Sequence, residues 1–151
     1  MFSPNYTKFI NVTPPVAIVD NAAALTTEID TLGYDYCQIV VQYGVTDIAT
    51  VALAVTESDT AGSGHANVTG LVSGTSTNIA GSTSALPTST ADNTLYLFEI
   101  DLRGRKRYLD TTITLGDGSS GTYVTALAIL HRADDAPVTA SQRGCLEILR
   151  V

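Results

Sequence analysis

Tryptophan is absent from this 151-residue chain, methionine occurs once, cysteine and histidine twice each, and only 15% of residues are charged. Each shortage counts against a class of function. A saccharide platform without tryptophan would rest on seven scattered tyrosines, which show no clear aromatic face in the sequence. His65 and His131 have no ligand partners at motif spacing, so neither a metal site nor a cofactor is expected. Cys37 and Cys145 each lie in an apolar strand-like run and read as buried free thiols. No stretch approaches the ~18 apolar residues of a membrane span, and Met1 to Lys8 lacks a basic leader followed by an apolar run. Membrane insertion and Sec export are therefore not expected.

Positive charge is scarce as well. Eight Lys and Arg stand against fifteen Asp and Glu, giving a net charge of -7 and a pI near 4.5. Half of the cations nevertheless fall in five consecutive positions: Arg103, Arg105, Lys106 and Arg107, broken by Gly104. Such a run repels itself and gains from meeting carboxylates or phosphates. A sequence-independent nucleic-acid binder needs a broad basic face interleaved with aromatics, and here only Tyr108 flanks the run in an acidic protein. No direct nucleic-acid contact is expected. Two readings remain: contact with an acidic protein surface, or a solvated hairpin neutralised by Glu99, Asp101 and Asp110.

Catalytic patterns are equally thin. His131-Arg132-Ala133-Asp134-Asp135 places a base near two carboxylates but reads as a strand end with an acidic turn. There is no Gly-x-Ser-x-Gly elbow, and Gly116 to Gly121 is turn chemistry without the lysine of a phosphate-binding loop. Glu57 and Asp59 alone do not make a glycosidase. The chain is not expected to be an enzyme.

What is present is strand chemistry. Tyr34 to Val45 and Ala49 to Ser58 are rich in β-branched residues and read as a hairpin across Thr46-Asp47. Leu95 to Leu102 puts Tyr96, Phe98, Ile100 and Leu102 on one face, the core candidate. Arg107 to Leu115, Tyr123 to His131 and Cys145 to Val151 follow, with Leu127 expected in the core. Pro14 to Val19 is a candidate early strand, and Asn21 to Leu32 the one short helical candidate. Thr60 to Ala91 contains no charged residue and reads as a flexible excursion or a loop with short strands. Seven or eight strands and one core of this size predict an all-β fold: a single-domain, jelly-roll-like β-sandwich over 16–151, preceded by an N-terminal arm over 1–15.

The stretch from Phe98 to Asp110, with Gly116-Asp117-Gly118, Gly121-Thr122-Tyr123, Ala126 to Ala133 and Arg143-Gly144, resembles capsid decoration, or cement, proteins of tailed double-stranded DNA bacteriophages. The resemblance covers the second half of the chain, and the first half in general pattern only. It implies a structural virion protein, made in the host bacterial cytoplasm. Such a protein binds the major capsid protein on the outer surface of the expanded head, often as a homotrimer, and secures the capsomers. Two fastenings are open: the run Arg103, Arg105, Lys106, Arg107 on acidic capsid residues or on a neighbouring copy, and the N-terminal segment using Phe2, Tyr6, Phe9 and Ile10 as apolar anchors. The competing class is a fibre, tail or carbohydrate-binding sandwich for host recognition.

Overall fold

The computed structural model describes residues 6–75 and 80–149. Eight strands form: β1 (Thr7–Thr13), β2 (Ile29–Asp30), β3 (Tyr34–Thr46), β4 (Thr50–Ser58), β5 (Ala66–Val72), β6 (Leu95–Asp101), β7 (Tyr108–Leu115) and β8 (Thr122–Ala133). They make two four-stranded antiparallel sheets, ordered β1-β8-β3-β6 (sheet A) and β2-β7-β4-β5 (sheet B). The pairs β1:β8, β2:β7, β3:β6 and β4:β5 are those of one long hairpin whose tip is the β4–β5 turn. Rolled so that successive pairs alternate between sheets, that hairpin is a jelly roll. No helix is long and apolar enough to cross a membrane among the described residues.

Alternation in the sequence sets the layers. Along β7 every second residue from Leu109 to Leu115 is buried, and along β8 every second residue from Thr122 to Leu130. Ile39, Val41, Tyr43, Phe98, Ile100 and Leu130 from sheet A meet Ile29, Leu53, Val55, Leu109 and Ile113 from sheet B in one core. Burial pushes the Cys37 thiol and the Tyr43 phenol each up to about 12. The expected inner face of β6 is correct, since Phe98, Ile100 and Leu102 are buried while Leu95 and Leu97 stand in solvent.

Several local expectations give way to the topology. The β3–β4 link is a crossing between sheets: neither Thr46 nor Asp47 takes the positive φ that a tight two-residue hairpin demands, so the strands splay apart. Asn21 to Leu32 is extended, bonding along β7 through Ala24 N to Ile113 O (2.8 Å) and Leu115 N to Ala22 O (2.9 Å) before it becomes β2. Pro14 to Val19 yields only a bridge from Val19 to Thr122. Cys145 to Leu149 is not a strand, and Leu146 and Leu149 are almost fully exposed. Leu127 points outward, 39% exposed, so a charge there would not enter the core. The uncharged excursion contains β5 and packs back through Pro87, whose carbonyl accepts from Thr50 N at 2.9 Å. The segment read as an N-terminal arm supplies β1, an integral strand of sheet A.

The outer side of β1 is sealed by the chain's other end. Phe9 N donates to Arg143 O at 2.9 Å. The Arg143 guanidinium, 4% exposed, donates to Thr7 O (3.1 Å) and Thr7 Oγ1 (2.8 Å). Gly144 follows at φ +75°, where a Cβ would come within 1.8 Å of Phe9 O. Gly62 shares the left-handed conformation (φ +70°) but has nothing within 4 Å of such a Cβ. Alanine at either site incurs the same backbone strain, so Gly144→Ala should cost about 1–3 kcal/mol more than Gly62→Ala, the usual toll of overpacking. Equal urea midpoints for the two variants would refute this account of the β1 edge.

Candidate functional site

The basic run lies in the β6–β7 connection, which passes from sheet A to sheet B and is therefore not a hairpin. Each of its cations has a carboxylate. Arg103 Nε donates to Asp101 Oδ1 (2.9 Å), and its Nη2 pairs with Oδ2. Arg105 faces Glu57 at 3.6 Å, and Lys106 faces Asp59 at 3.6 Å. Arg107 forks onto Asp30 through Nε–Oδ1 (2.8 Å) and Nη2–Oδ2 (2.7 Å), with its guanidinium 4.9 Å from the Tyr108 ring centre. Of the three neutralising carboxylates expected, only Asp101 serves; Glu57, Asp59 and Asp30 come from β4, the turn after it and β2, distant in sequence. The Arg107 fork and a hydrogen bond from Leu32 N hold the Asp30 carboxyl below the usual range, against the opposing effect of burial. Hydrogen bonds from the Arg103 side chain and backbone bring Asp101 down to about 2.

The loop is tied by backbone as well as charge. Glu57 Oε2 accepts from Lys106 N (3.2 Å), and Arg107 O accepts from both Thr31 N (3.0 Å) and Thr31 Oγ1 (2.7 Å). The 103–107 segment is thus a latch that closes one end of the sandwich.

Next to the latch, on the outer face of sheet A, opens a groove of about 1130 Å³. Its floor is one rung across three strands, Asp101–Tyr36–His131. Glu99 Oε1 accepts from Gln38 Nε2 at 3.1 Å, and Gln38 Oε1 accepts from His131 Nε2 at 3.0 Å, a chain crossing β6, β3 and β8. The Tyr36 and His131 rings sit 6.1 Å apart. Burial lowers the His131 pKa and, with the charges of Glu99 and Asp101, raises that of Tyr36. Both groups are held neutral near neutrality.

Of the residues the sequence proposed for partner contact, Tyr6 and Arg103 meet at this groove, 43% exposed and largely exposed respectively. Arg105, Lys106 and Arg107 belong to the latch. Phe9 is half-buried under Arg143 and Ile10 packs against the core, so neither is a free anchor. Phe2 lies outside the described residues. His131 stood out only as a base near two carboxylates, and Tyr36 and Gln38 carried no motif; their outward positions on alternating strands marked them, and that register needed the strand pairing to be known.

A third polar group joins Glu28, His65 and Thr56: His65 Nε2 lies 2.7 Å from Glu28 Oε2, and Nδ1 lies 3.3 Å from Thr56 Oγ1. Gly62 N also donates to Glu28 Oε2 (2.8 Å), and these bonds lower the Glu28 pKa. It pins the β4–β5 turn to the extended segment just before β2. Among the described residues no cluster of three or more His, Cys, Asp or Glu has the arrangement to hold a metal ion. Comparison with known proteins finds no matching family model and no matching curated protein.

Acid should open the latch. Glu28, Asp30 and Asp101 have folded-state pKa values below their ordinary ones, so their stabilisation is full above about pH 4.5 and lost as pH falls through the folded values, about 2 for Asp101. His131, depressed by burial, adds a loss of stability as pH drops below its ordinary 6.5. The urea midpoint should decline from about pH 6 to about pH 2, with Asp30→Asn flattening the acid limb. A midpoint unchanged across that span would contradict the pairings.

Proposed function

We propose that this chain is a structural virion protein that sits on the outer surface of a phage head and bridges capsomers of the major capsid protein. The observation that carries the proposal is the asymmetry of sheet A. One edge, β1, is sealed by Arg143 and Gly144, while the opposite edge, β6, has no further strand partner among the described residues. Leu95 and Leu97 on β6 are 65% and 53% exposed, and Leu97 continues through Val40 to the exposed Leu127 on one rung. An edge strand that long, with leucines in solvent, is a template for pairing that natural proteins otherwise protect.

A decoration role uses such an edge. Strand addition to a capsid protein or to a second copy satisfies the open backbone groups and covers the leucines, and many copies convert modest contacts into avidity. A homotrimer, which the resemblance implies, needs the β6 edge of one copy to meet a different surface of the next, because two β6 edges paired with each other close a two-fold dimer. The resemblance of Phe98 to Asp110, Gly116 to Gly118, Gly121 to Tyr123, Ala126 to Ala133 and Arg143-Gly144 to cement proteins supports this reading, as does the low share of charged residues. The basic loop then forms the rim. Because each cation already has its own carboxylate, the loop adds register more than affinity.

Mixing with heads assembled without this chain, followed by sedimentation, tests the proposal. The protein should pellet stoichiometrically with heads and remain in the supernatant with host cells. Leu97→Lys, a charge on an already exposed site, should abolish pelleting without lowering the melting temperature, whereas raising salt from about 50 to about 500 mM should weaken it only modestly. Pelleting of Leu97→Lys at wild-type levels would remove β6 as the contact, and failure of the wild type to pellet would remove the function.

A further inference from the structure

We propose that the groove on the outer face of sheet A binds a neutral oligosaccharide, gripped by Arg132, Asp101 and Gln38 and stacked on Tyr6 and Tyr36. Nothing in the head-binding reading requires this site, which lies at the opposite end of β6 from Leu95.

The chemistry of the walls narrows the ligand by elimination. Asp35, Asp101 and Asp134 face Arg103 and Arg132, so opposite charges nearly cancel and neither a polyanion nor a polycation is favoured. An apolar ligand would leave these groups desolvated without partners. An extended peptide adds to a sheet edge, and the centre of the floor is not one: Tyr36 pairs with Asp101 on one side and His131 on the other, and His131 pairs with Thr7 beyond, so the open edge lies only at the groove's β6 margin. Over β3 and β8 recognition must come from side chains. Carboxylates, an amide and guanidiniums are planar groups that give or accept paired hydrogen bonds, the pattern that adjacent sugar hydroxyls present. Tyrosine rings offer flat apolar faces for the C–H side of a pyranose, with a polar tip left wet.

The donors are held in place before any ligand arrives. The Glu99–Gln38–His131 chain fixes the amide of Gln38 and places the imidazole proton on Nε2. Asp101 is fixed by Arg103. Such fixed groups lose little freedom on binding.

Arg132 supplies the independent sign. It lies within β8 yet takes φ +58°, a left-handed conformation that a long side chain adopts at a cost and glycine adopts freely. Strained residues of this kind cluster at ligand sites. Here the strain turns Arg132 into the groove wall, where its charge acts on Asp101. Its guanidinium is in no ion pair among the described residues, unlike the four cations of the latch.

Arg132→Gly separates ligand recognition from folding, because the substitution relieves strain as it removes the contact. The isolated chain is applied to a printed array of neutral oligosaccharides, and the strongest binder is then titrated in solution by calorimetry. Saturable binding is expected, weakened at least ~10-fold by Arg132→Gly and by Tyr6→Ala, one lost hydrogen-bonding or stacking side chain each. The melting temperature of Arg132→Gly should stay level or rise. No saturable binding to any neutral glycan overturns the proposal, as does binding that survives both substitutions or a signal confined to sulfated or sialylated glycans. The assay contains no heads, so its failure leaves the sedimentation result standing, and loss of head binding in Arg132→Gly with no glycan bound would reassign the groove to the capsid protein.

Discussion

Six of the seven links between successive strands cross from one sheet to the other, and the surface of this protein is organised by the need to tie those crossings down. The β4–β5 turn alone stays within a sheet. A crossing has no ladder to satisfy its backbone, so its N–H and C=O groups need side-chain partners. This chain meets the need with carboxylates. Asp47, in the β3–β4 crossing, accepts from Ser119 N (2.9 Å), Ser120 N (2.8 Å) and Gly121 N (3.0 Å) of the β7–β8 crossing, and Asp20 accepts from Gly118 N (2.9 Å). Gly121, at φ +72°, has no space for a Cβ against Val19 O and Ile18. At the latch, Glu57 accepts from Lys106 N (3.2 Å) and Asp101 from Arg103 N (3.1 Å), while Asp59 and Asp30 hold the β6–β7 crossing through the side chains of Lys106 and Arg107. The acidic excess of the composition is in this sense partly structural.

That constraint alters what the basic run means. Four cations in five positions look like a surface awaiting an anion only while their surroundings are unknown. Once β2, β4 and β6 are brought to the same end of the sandwich, four carboxylates arrive with them. Exposed pairs of this kind contribute little to stability each. Their effect is to favour one path for the crossing over alternatives in which like charges would crowd. The residue left for recognition is the one outside the latch, Arg132, which the sequence reading had passed over as part of an acidic strand end.

Strands were legible in the sequence where burial is one-sided. β6, β7 and β8 alternate strictly, and their limits fall within a residue or two of those read from the pattern. The helical candidate at Asn21 to Leu32 failed because its short apolar period is matched equally by an extended chain lying along β7. Cys145 to Val151 is apolar but does not alternate as β7 does, and the β1 edge beside it is already taken by Arg143. The hairpin at Thr46-Asp47 failed because adjacency in sequence is a weaker guide than turn chemistry in a fold that crosses at almost every link. Of the groove only the run His131-Arg132-Ala133-Asp134 stood out in the sequence, as a base near carboxylates; Tyr36, Gln38, Asp101 and His131 span 96 positions and meet only through the register of three strands.

Sheet A therefore carries two unlike surfaces on one strand. At the start of β6, Leu95 and Leu97 are apolar and the backbone edge is open; at its end, Asp101 and Arg103 join the polar groove. The two lie about 20 Å apart by the rise of an extended strand of seven residues. A partner added along the first half of β6 would cover the leucines and leave the groove's floor on β3 and β8 open to solvent. Attachment and ligand recognition can thus occupy one sheet without competing, because pleating sends the side chains of β6 to its faces while the unpaired backbone groups point along its edge.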